Sequence, residues 1–252
     1  MSKKLLHYFN EIERIHWWWV GRRQLINQLS LNRLKSKTRP AILDIGCGTG
    51  ETLTHLKTLL PQAQLHGLDT SPTAVKYTRL RGHSVLLGNA LKLPYKDASF
   101  DSILLLDVIE HIEPDTEVLN EAKRVLKPGG FIIVTAPALP FIWSDHDTNQ
   151  GHKRRYTRRR MRLLAQQTNL QLSFLSYFNF LASPVIILIR LLGNLKLLHR
   201  LVSFDSKLNY DIAKKRPVND LLSKFFVGEI KLLKFVRYPW GISICACFTK
   251  SP

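Results

Sequence analysis

Cysteine is scarce in this chain of 252 residues, which holds only Cys47, Cys245 and Cys247. Three thiols, two of them in one Cys-x-Cys, supply neither a disulfide framework nor the paired ligands of a structural zinc site. A reducing, cytoplasmic setting is expected. Acidic residues are also few, 19 Asp and Glu against 37 Lys and Arg, leaving a formal charge of +18. Residues 1–150 carry 18 Lys and Arg against 15 acids, whereas residues 151–252 carry 19 against 4, so the basic character belongs to the second part. A field of that sign suits an anionic partner: a membrane surface, a phosphorylated substrate or nucleic acid. No uninterrupted apolar run reaches the ~20 residues needed to span a bilayer. The opening "MSKKLLHYFNEIERIHWWW" is broken by acids and reads poorly as a signal peptide. Internal repeats and low-complexity tracts are lacking too. With 45% apolar residues the chain can bury one substantial core, and a single domain over 1–252 is expected.

What is present is an alternation. Residues 3–36 read as one or two helices. From Pro40 onward, short runs rich in Ile, Leu and Val ("AILDIG", "QLHGLD", "HSVLLGN", "SILLLDV", "GFIIVTA") alternate with capped helical stretches, the pattern of a mostly parallel α/β sheet. Ser71-Pro72 and Ser183-Pro184 each predict a helix start. Val118, Leu119, Ala122, Val125 and Leu126 share one helical face, with Lys127-Pro128-Gly129-Gly130 as its stop. Further on, the sequence predicts a loop to about 156 and a basic helix over 157–168. A strand through "LQLSFLSYF", an apolar helix from Pro184 to about Arg200, another helix after Pro217 and a last strand "ISICACFTK" follow.

The most informative residues are "ILDIGCGTGETL". A strand ends near Asp44, and Gly46, Gly48 and Gly50 allow a tight turn into a helix with backbone open to a ligand. Dinucleotide sites use G-x-G-x-x-G to seat a pyrophosphate. Here the spacing is G-x-G-x-G, and an acid two residues ahead of it would repel a pyrophosphate and attract a cation. A second acid, Asp69, ends the next strand, where carboxylates of this architecture take ribose hydroxyls.

With "LDIGCGTG", "GLDTSPTAV", "GNALKLPYKDASFDSILLLDVIEHI" and "EAKRVLKPGGFIIVTAP" in that order, the stretch from Pro40 to Pro137 resembles the class I S-adenosylmethionine-dependent methyltransferases. The likeness is to the group that includes the quinone-biosynthesis and biotin-precursor enzymes. It implies a Rossmann-like, seven-stranded, mostly parallel sheet with an N-terminal helical lid over 1–39, a cofactor core over 40–137, and a substrate-side part over 138–252. A basic, partly apolar helical insertion precedes the last strand. It also implies S-adenosyl-L-methionine as cofactor. Asp44, Gly46, Cys47, Gly48, Thr49 and Gly50 would approach its methionine part, and Asp69 and Thr70 its ribose. Asn89 and Ala90 would lie beside adenine, and Asp107 and Val108 near the sulfonium. At position 89 the family usually carries Asp; Asn can still accept from an amino group.

Methyl transfer from a sulfonium chiefly requires that nucleophile and methyl group be held together in a dry pocket, with a general base for weak nucleophiles such as hydroxyls. His111, His146, His152 and Tyr156 are the candidate catalytic residues; packing over the cofactor competes as a role for His111. "HDTNQGHKRRYTRRR", residues 146–160, follows the fifth strand, where loops build the ligand crevice. Asp147 and Arg155 are expected to face the substrate, with Trp17, Trp18 and Trp143. The arginines at 158, 159, 160 and 162 read as a solvated face that only biases the field, with Met161, Leu163 and Leu164 inward. His146, Asp147 and His152 match no metal-ligand spacing and lie among cations, so no metal is expected there. E-x-x-H-W-W (Glu13, His16, Trp17, Trp18) and the pair W-S-x-H-D and H-x-R-R-Y (Trp143 to Tyr156) resemble a bacterial and archaeal subset of these enzymes linked with cell-surface glycan and lipid biosynthesis. Three adjacent tryptophans cannot share one helix face, which places at least one at a lid, a partner or a membrane edge.

"YFNFLASPVIILIRLLGNLKLLHRLV" joins an apolar body to flanking Arg190, Lys196, His199 and Arg200. A helix lying among lipid headgroups fits it; so does a buried core helix. The expectation is a methyltransferase acting on a lipid, quinone-like or lipid-linked glycan substrate, cytoplasmic and peripheral at an anionic membrane. An RNA methyltransferase and a cofactor-binding regulator without turnover are the alternatives. The sequence does not fix the oligomeric state.

Overall fold

The computed structural model describes residues 3–193 and 211–252. Two helices, α1 (Lys3–Ile12) and α2 (Trp17–Lys35), precede the sheet. Strands β1 (Ala41–Ile45), β2 (Gln64–Asp69), β3 (Ser84–Leu87), β4 (Phe100–Leu106) and β5 (Leu126–Pro137) are connected through α3 (Glu51–Leu59), α4 (Pro72–Leu80) and α5 (Asp115–Val125). Then come α6 (Asp145–Gln150), α7 (Arg158–Gln167), β6 (Gln171–Phe178), α8 (Ser183–Gly193), α9 (Arg216–Leu232) and β7 (Ser243–Thr249).

The strands form one seven-stranded sheet in the order β3-β2-β1-β4-β5-β7-β6. The first five run parallel, and β7 lies antiparallel between β5 and β6. This is the α/β, Rossmann-like sheet expected. Every residue of β1 and β4 is buried, as an interior parallel strand requires, and this explains why both read as continuous apolar runs. Strand order reverses between β1 and β4, and the carboxyl ends of those two strands open the crevice of a doubly wound sheet. Gly67 on β2 lies opposite Asp44; a Cβ there would come within 2.8 Å of Cys47 Sγ, so glycine lets the turn after β1 lie close on β2.

Several local expectations hold. Ser71 caps α4, its Oγ accepting from Ala74 N at 3.4 Å with Pro72 in the first turn. Thr157 caps α7 in the same way, accepting from Arg160 N at 3.2 Å. α8 begins at Ser183 as expected, its Oγ donating back to Phe180 O at 2.6 Å. Others change. Lys127 to Gly130 lie inside β5, whose pairing with β4 shifts register there, and α5 already ends at Val125. The loop to 156 contains α6, because Ser144 and Asp147 form a reciprocal capping box. On α7, Met161, Leu164 and Ala165 are buried while Leu163 is exposed. Two arginines placed on a solvated face are tied down: Arg160 pairs with Asp115, and Arg158 lies over the Tyr177 ring, 5.2 Å from its centroid.

α9 holds the lid and the substrate side together. Its Asn219 accepts from Trp17 N at 2.9 Å and donates to Ile15 O at 2.8 Å, while Glu229 accepts from Phe180 N and Leu181 N just ahead of α8. The end of the expected apolar helix, with Lys196, His199 and Arg200, lies outside the described residues.

Candidate active site

A cavity of about 910 Å³ opens at the carboxyl ends of β1 and β4. Its floor is the turn after β1. Asp44 is buried, and burial pushes its carboxyl up to about 7, against the pull of nearby Arg22. Gly46 and Gly48 have φ of +71° and +56°. A Cβ on Gly46 would strike the Val108 side chain at 2.4 Å, whereas one on Gly48 would meet nothing within 4 Å and stand in the open space of the cavity. Gly48 N donates to Asp69 Oδ2 at 3.0 Å and Ser71 N to Asp69 Oδ1 at 2.8 Å, which holds that carboxylate at the end of β2.

The lid forms one wall. Thr49 Oγ1 donates to buried Glu13, so the α1–α2 junction sits directly on the glycine turn. Arg22 of α2 reaches across to Asp107, its Nη1 2.8 Å from Oδ2, while Thr135 donates to the other Asp107 oxygen at 3.0 Å. Trp17, Trp18 and Trp19 all line the cavity. Trp17 and Trp19 are buried; half-buried Trp18 stacks on Phe226 and Phe178 with centroids 5.5 and 5.8 Å away. The Trp17 indole N–H is buried and has no partner within the described protein, a donor left for a ligand.

The opposite wall comes from the turn after β4, from α6 and its following loop, and from α8. Lys153 N donates to Glu110 O at 2.7 Å, which draws the 151–153 loop onto the Ile109–His111 turn. His111 and His152 thus lie edge to face at 4.9 Å, with His146 6.4 Å from His152. Burial, then the positive neighbour Arg190, lowers His146 to about 4, so it is neutral across the physiological range. Burial, then His152, also lowers His111. His152 Nδ1 lies 2.9 Å from Asp147 Oδ1, which orients the ring and leaves Nε2 for substrate chemistry.

Asp147 corrects an expectation. It is wholly buried and receives Arg155 Nε at 2.8 Å, Arg155 Nη2 at 3.0 Å and Arg190 Nη1 at 3.1 Å besides His152. These charges hold its carboxyl well below the usual range despite burial. It therefore positions His152 and Arg155, which line the cavity, and does not itself face it. Tyr156 is a second correction: it is fully buried outside the cavity lining, its hydroxyl 3.1 Å from both Ile109 O and Asp115 Oδ2. Trp143 is a third, lying outside the cavity lining with its indole N–H on Thr148 Oγ1 at 3.2 Å.

Of the cofactor candidates, Asp44, Gly46, Cys47, Gly48, Thr49 and Asp107 line the cavity. Gly50, Asp69, Thr70, Asn89, Ala90 and Val108 do not; Asp69 and Asn89 stand at the ends of β2 and β3, and Asn89 Oδ1 accepts from Leu91 N at 3.0 Å. Sequence reasoning gave no site role to Glu13, His16, Arg22, Glu110 or Arg190, all of which line the cavity. An acid inside the turn "DVIEHI" was a readable signal for Glu110; nothing local marked Arg22.

The profile described as "Methyltransferase domain" matches residues 43–134. Residues 43–134 are thus a methyltransferase domain. The chain is 36% identical over 111 residues to norajmaline N-methyltransferase of Rauvolfia serpentina, covering 41% of this chain and 38% of that one. It is 34% identical over 97 residues to a tRNA (carboxymethyluridine(34)-5-O)-methyltransferase of Arabidopsis thaliana, covering 37% and 23%. In each case the match spans less than half of the relative's length. The solved phosphoethanolamine N-methyltransferase 2 of Haemonchus contortus, in complex with S-adenosyl-L-methionine, shares the fold with a TM-score of 0.59 at 17% identity over 90% of this chain and 52% of that one.

The residues of this methyltransferase domain fit the cofactor. Burial raises the carboxyls of Glu13, Asp44 and Glu110, the mark of a site that gains from a cationic ligand. The glycine turn leaves room beside Asp44, and Asp69 stands at the strand end suited to ribose hydroxyls. When bound, the cofactor supplies a methyl group on a positively charged sulfur.

Proposed function

We propose that this protein methylates an acceptor carried by an amphiphile, a lipid, a quinone-like lipid or a lipid-linked glycan, at an anionic membrane surface on the cytoplasmic side. The observation that carries this reading is the double position of α8. Val185, Ile186 and Ile189 line the cavity, with Ala182 just ahead of the helix, while Leu181, Val185, Leu188 and Leu191 are exposed. One apolar helix thus joins the interior of the site to the surface, a path for an acyl or prenyl chain whose polar end faces the histidines. Among the described residues no helix is long and apolar enough to cross a membrane. A helix seated among headgroups and aided by ~1 kcal/mol per nearby Lys or Arg accounts for both features.

The chain's own residues supply orientation and dryness. The tryptophan wall and α8 exclude water, Arg22 fixes Asp107, and Asp147 orients His152 at the acceptor end of the cavity. Incubating the protein with methyl-labelled S-adenosylmethionine and separated lipid, glycan and RNA fractions tests the proposal. Label in the lipid fraction is expected; label confined to RNA would establish the RNA-modifying reading in its place.

A further inference from the structure

We propose that Glu110, His111 and His152 hold a divalent first-row transition-metal ion at the acceptor end of the cavity. Among the described residues, these three bring one potential ligand atom each to within 4.8 Å of one another. Zinc bonds of ~2.1 Å place tetrahedral ligands roughly 3.4 Å apart, so modest side-chain closure completes the set. Two imidazoles and one carboxylate suit zinc, iron, cobalt or manganese better than magnesium or calcium, which favour oxygen.

Two independent features point to a ligand. Glu110 is 1% exposed, and its Oε2 is buried with no hydrogen-bond partner among the described residues. A carboxylate so placed is costly unless something positive meets it. Both rings are also oriented through Nδ1: His152 against Asp147 Oδ1 at 2.9 Å and His111 against Gly151 O at 3.3 Å. A carboxylate or carbonyl behind the ring is the usual support of a metal-ligating histidine, and it leaves Nε2 for the ion. Several of the cations that argue against a metal in the sequence also have carboxylate partners. Arg155 and Arg190 share Asp147, Arg22 is paired with Asp107, and Arg154 with Glu113 and Asp115. This departs from the expectation of no metal, for which the set weighed was His146, Asp147 and His152; the present set shares only His152 with it.

Three protein ligands leave a coordination position for an oxygen of the acceptor, which the ion would orient and acidify. The proposal thereby favours a hydroxyl-bearing acceptor over an amine. Metal binding is read without cofactor or acceptor, so its failure leaves the methyl-transfer proposal standing.

The experiment titrates metal-stripped, full-length protein with Co2+ followed by visible absorption, and with Mn2+ followed by electron paramagnetic resonance. One ion per chain is expected, lost in Glu110→Gln and in His111→Ala, retained in His146→Ala, and weakened ~10–100-fold in Asp147→Asn. Each variant's thermal melt and S-adenosylhomocysteine affinity report whether the fold and the cofactor side are intact. Absence of stoichiometric binding to the parent protein, or equal binding by a folded Glu110→Gln variant, would overturn the proposal.

Discussion

Asp147 gathers Arg155, Arg190 and His152 beside the cavity, and it shows how a single residue can be misjudged. Its neighbours in "HDTNQGHKRRY" are polar, so it reads as a surface group that meets substrate; the fold instead wraps it with Arg155, Arg190 and His152. Asp147→Ala strands buried cations and is expected to cost ~3–5 kcal/mol, read as a fall in the urea midpoint. Its folded pKa is depressed, so its stabilisation is complete above the ordinary carboxylate value and is lost as pH falls below ~3.9. Asp44 has the opposite sign. Its folded pKa is raised to about 7, so ionising it costs the ligand-free protein stability as pH climbs from ~3.9 toward that value. A cationic ligand restores that loss. S-adenosylhomocysteine affinity measured by calorimetry should therefore strengthen from pH 5.5 to 7.5 by up to about tenfold per unit, and flatten in Asp44→Asn. Tyr156→Phe, which removes a buried hydroxyl from outside the cavity, should lower stability by ~1–3 kcal/mol and leave turnover unchanged.

At the scale of elements, the strands were legible because parallel interior strands are apolar on both faces, and the glycine turn because its geometry demands specific residues at fixed offsets. The lid was legible as helix, with Trp17 and Trp18 toward the site, but the contact that fixes it was not. Arg22 meets Asp107 across 85 positions of sequence, and no local pattern encodes such a meeting. Helix α9 read merely as a helix after Pro217, yet it packs against α2 so closely that a Cβ on Gly21 would come within 2.0 Å of the Phe226 ring. Gly21→Ala is therefore expected to push α2 off α9 and to destabilise by ~1–3 kcal/mol, measured by thermal melting with loss of lid-dependent cofactor affinity. On α8, Leu188 is 57% exposed and does not line the cavity. Leu188→Glu should change stability by no more than ~0.5 kcal/mol while reducing sedimentation with anionic vesicles; unchanged sedimentation would remove α8 from the docking surface.

For the molecule as a whole, 37 Lys and Arg outnumber 19 Asp and Glu, and the acids Glu13, Asp44 and Glu110 are buried in the cavity wall. Association with anionic vesicles should accordingly weaken steeply between ~0.05 and 0.5 M salt, as exposed charges are screened. The seven-stranded order adds a constraint of another kind. β7 stands between β5 and β6, hydrogen-bonded to both. During synthesis β6 emerges some seventy residues ahead of β7 and has no neighbour to join until that later strand arrives. A ribosome stalled at residue 240 would therefore display an unfinished sheet and a half-built acceptor wall, and recruitment of chaperones should peak in that interval of translation.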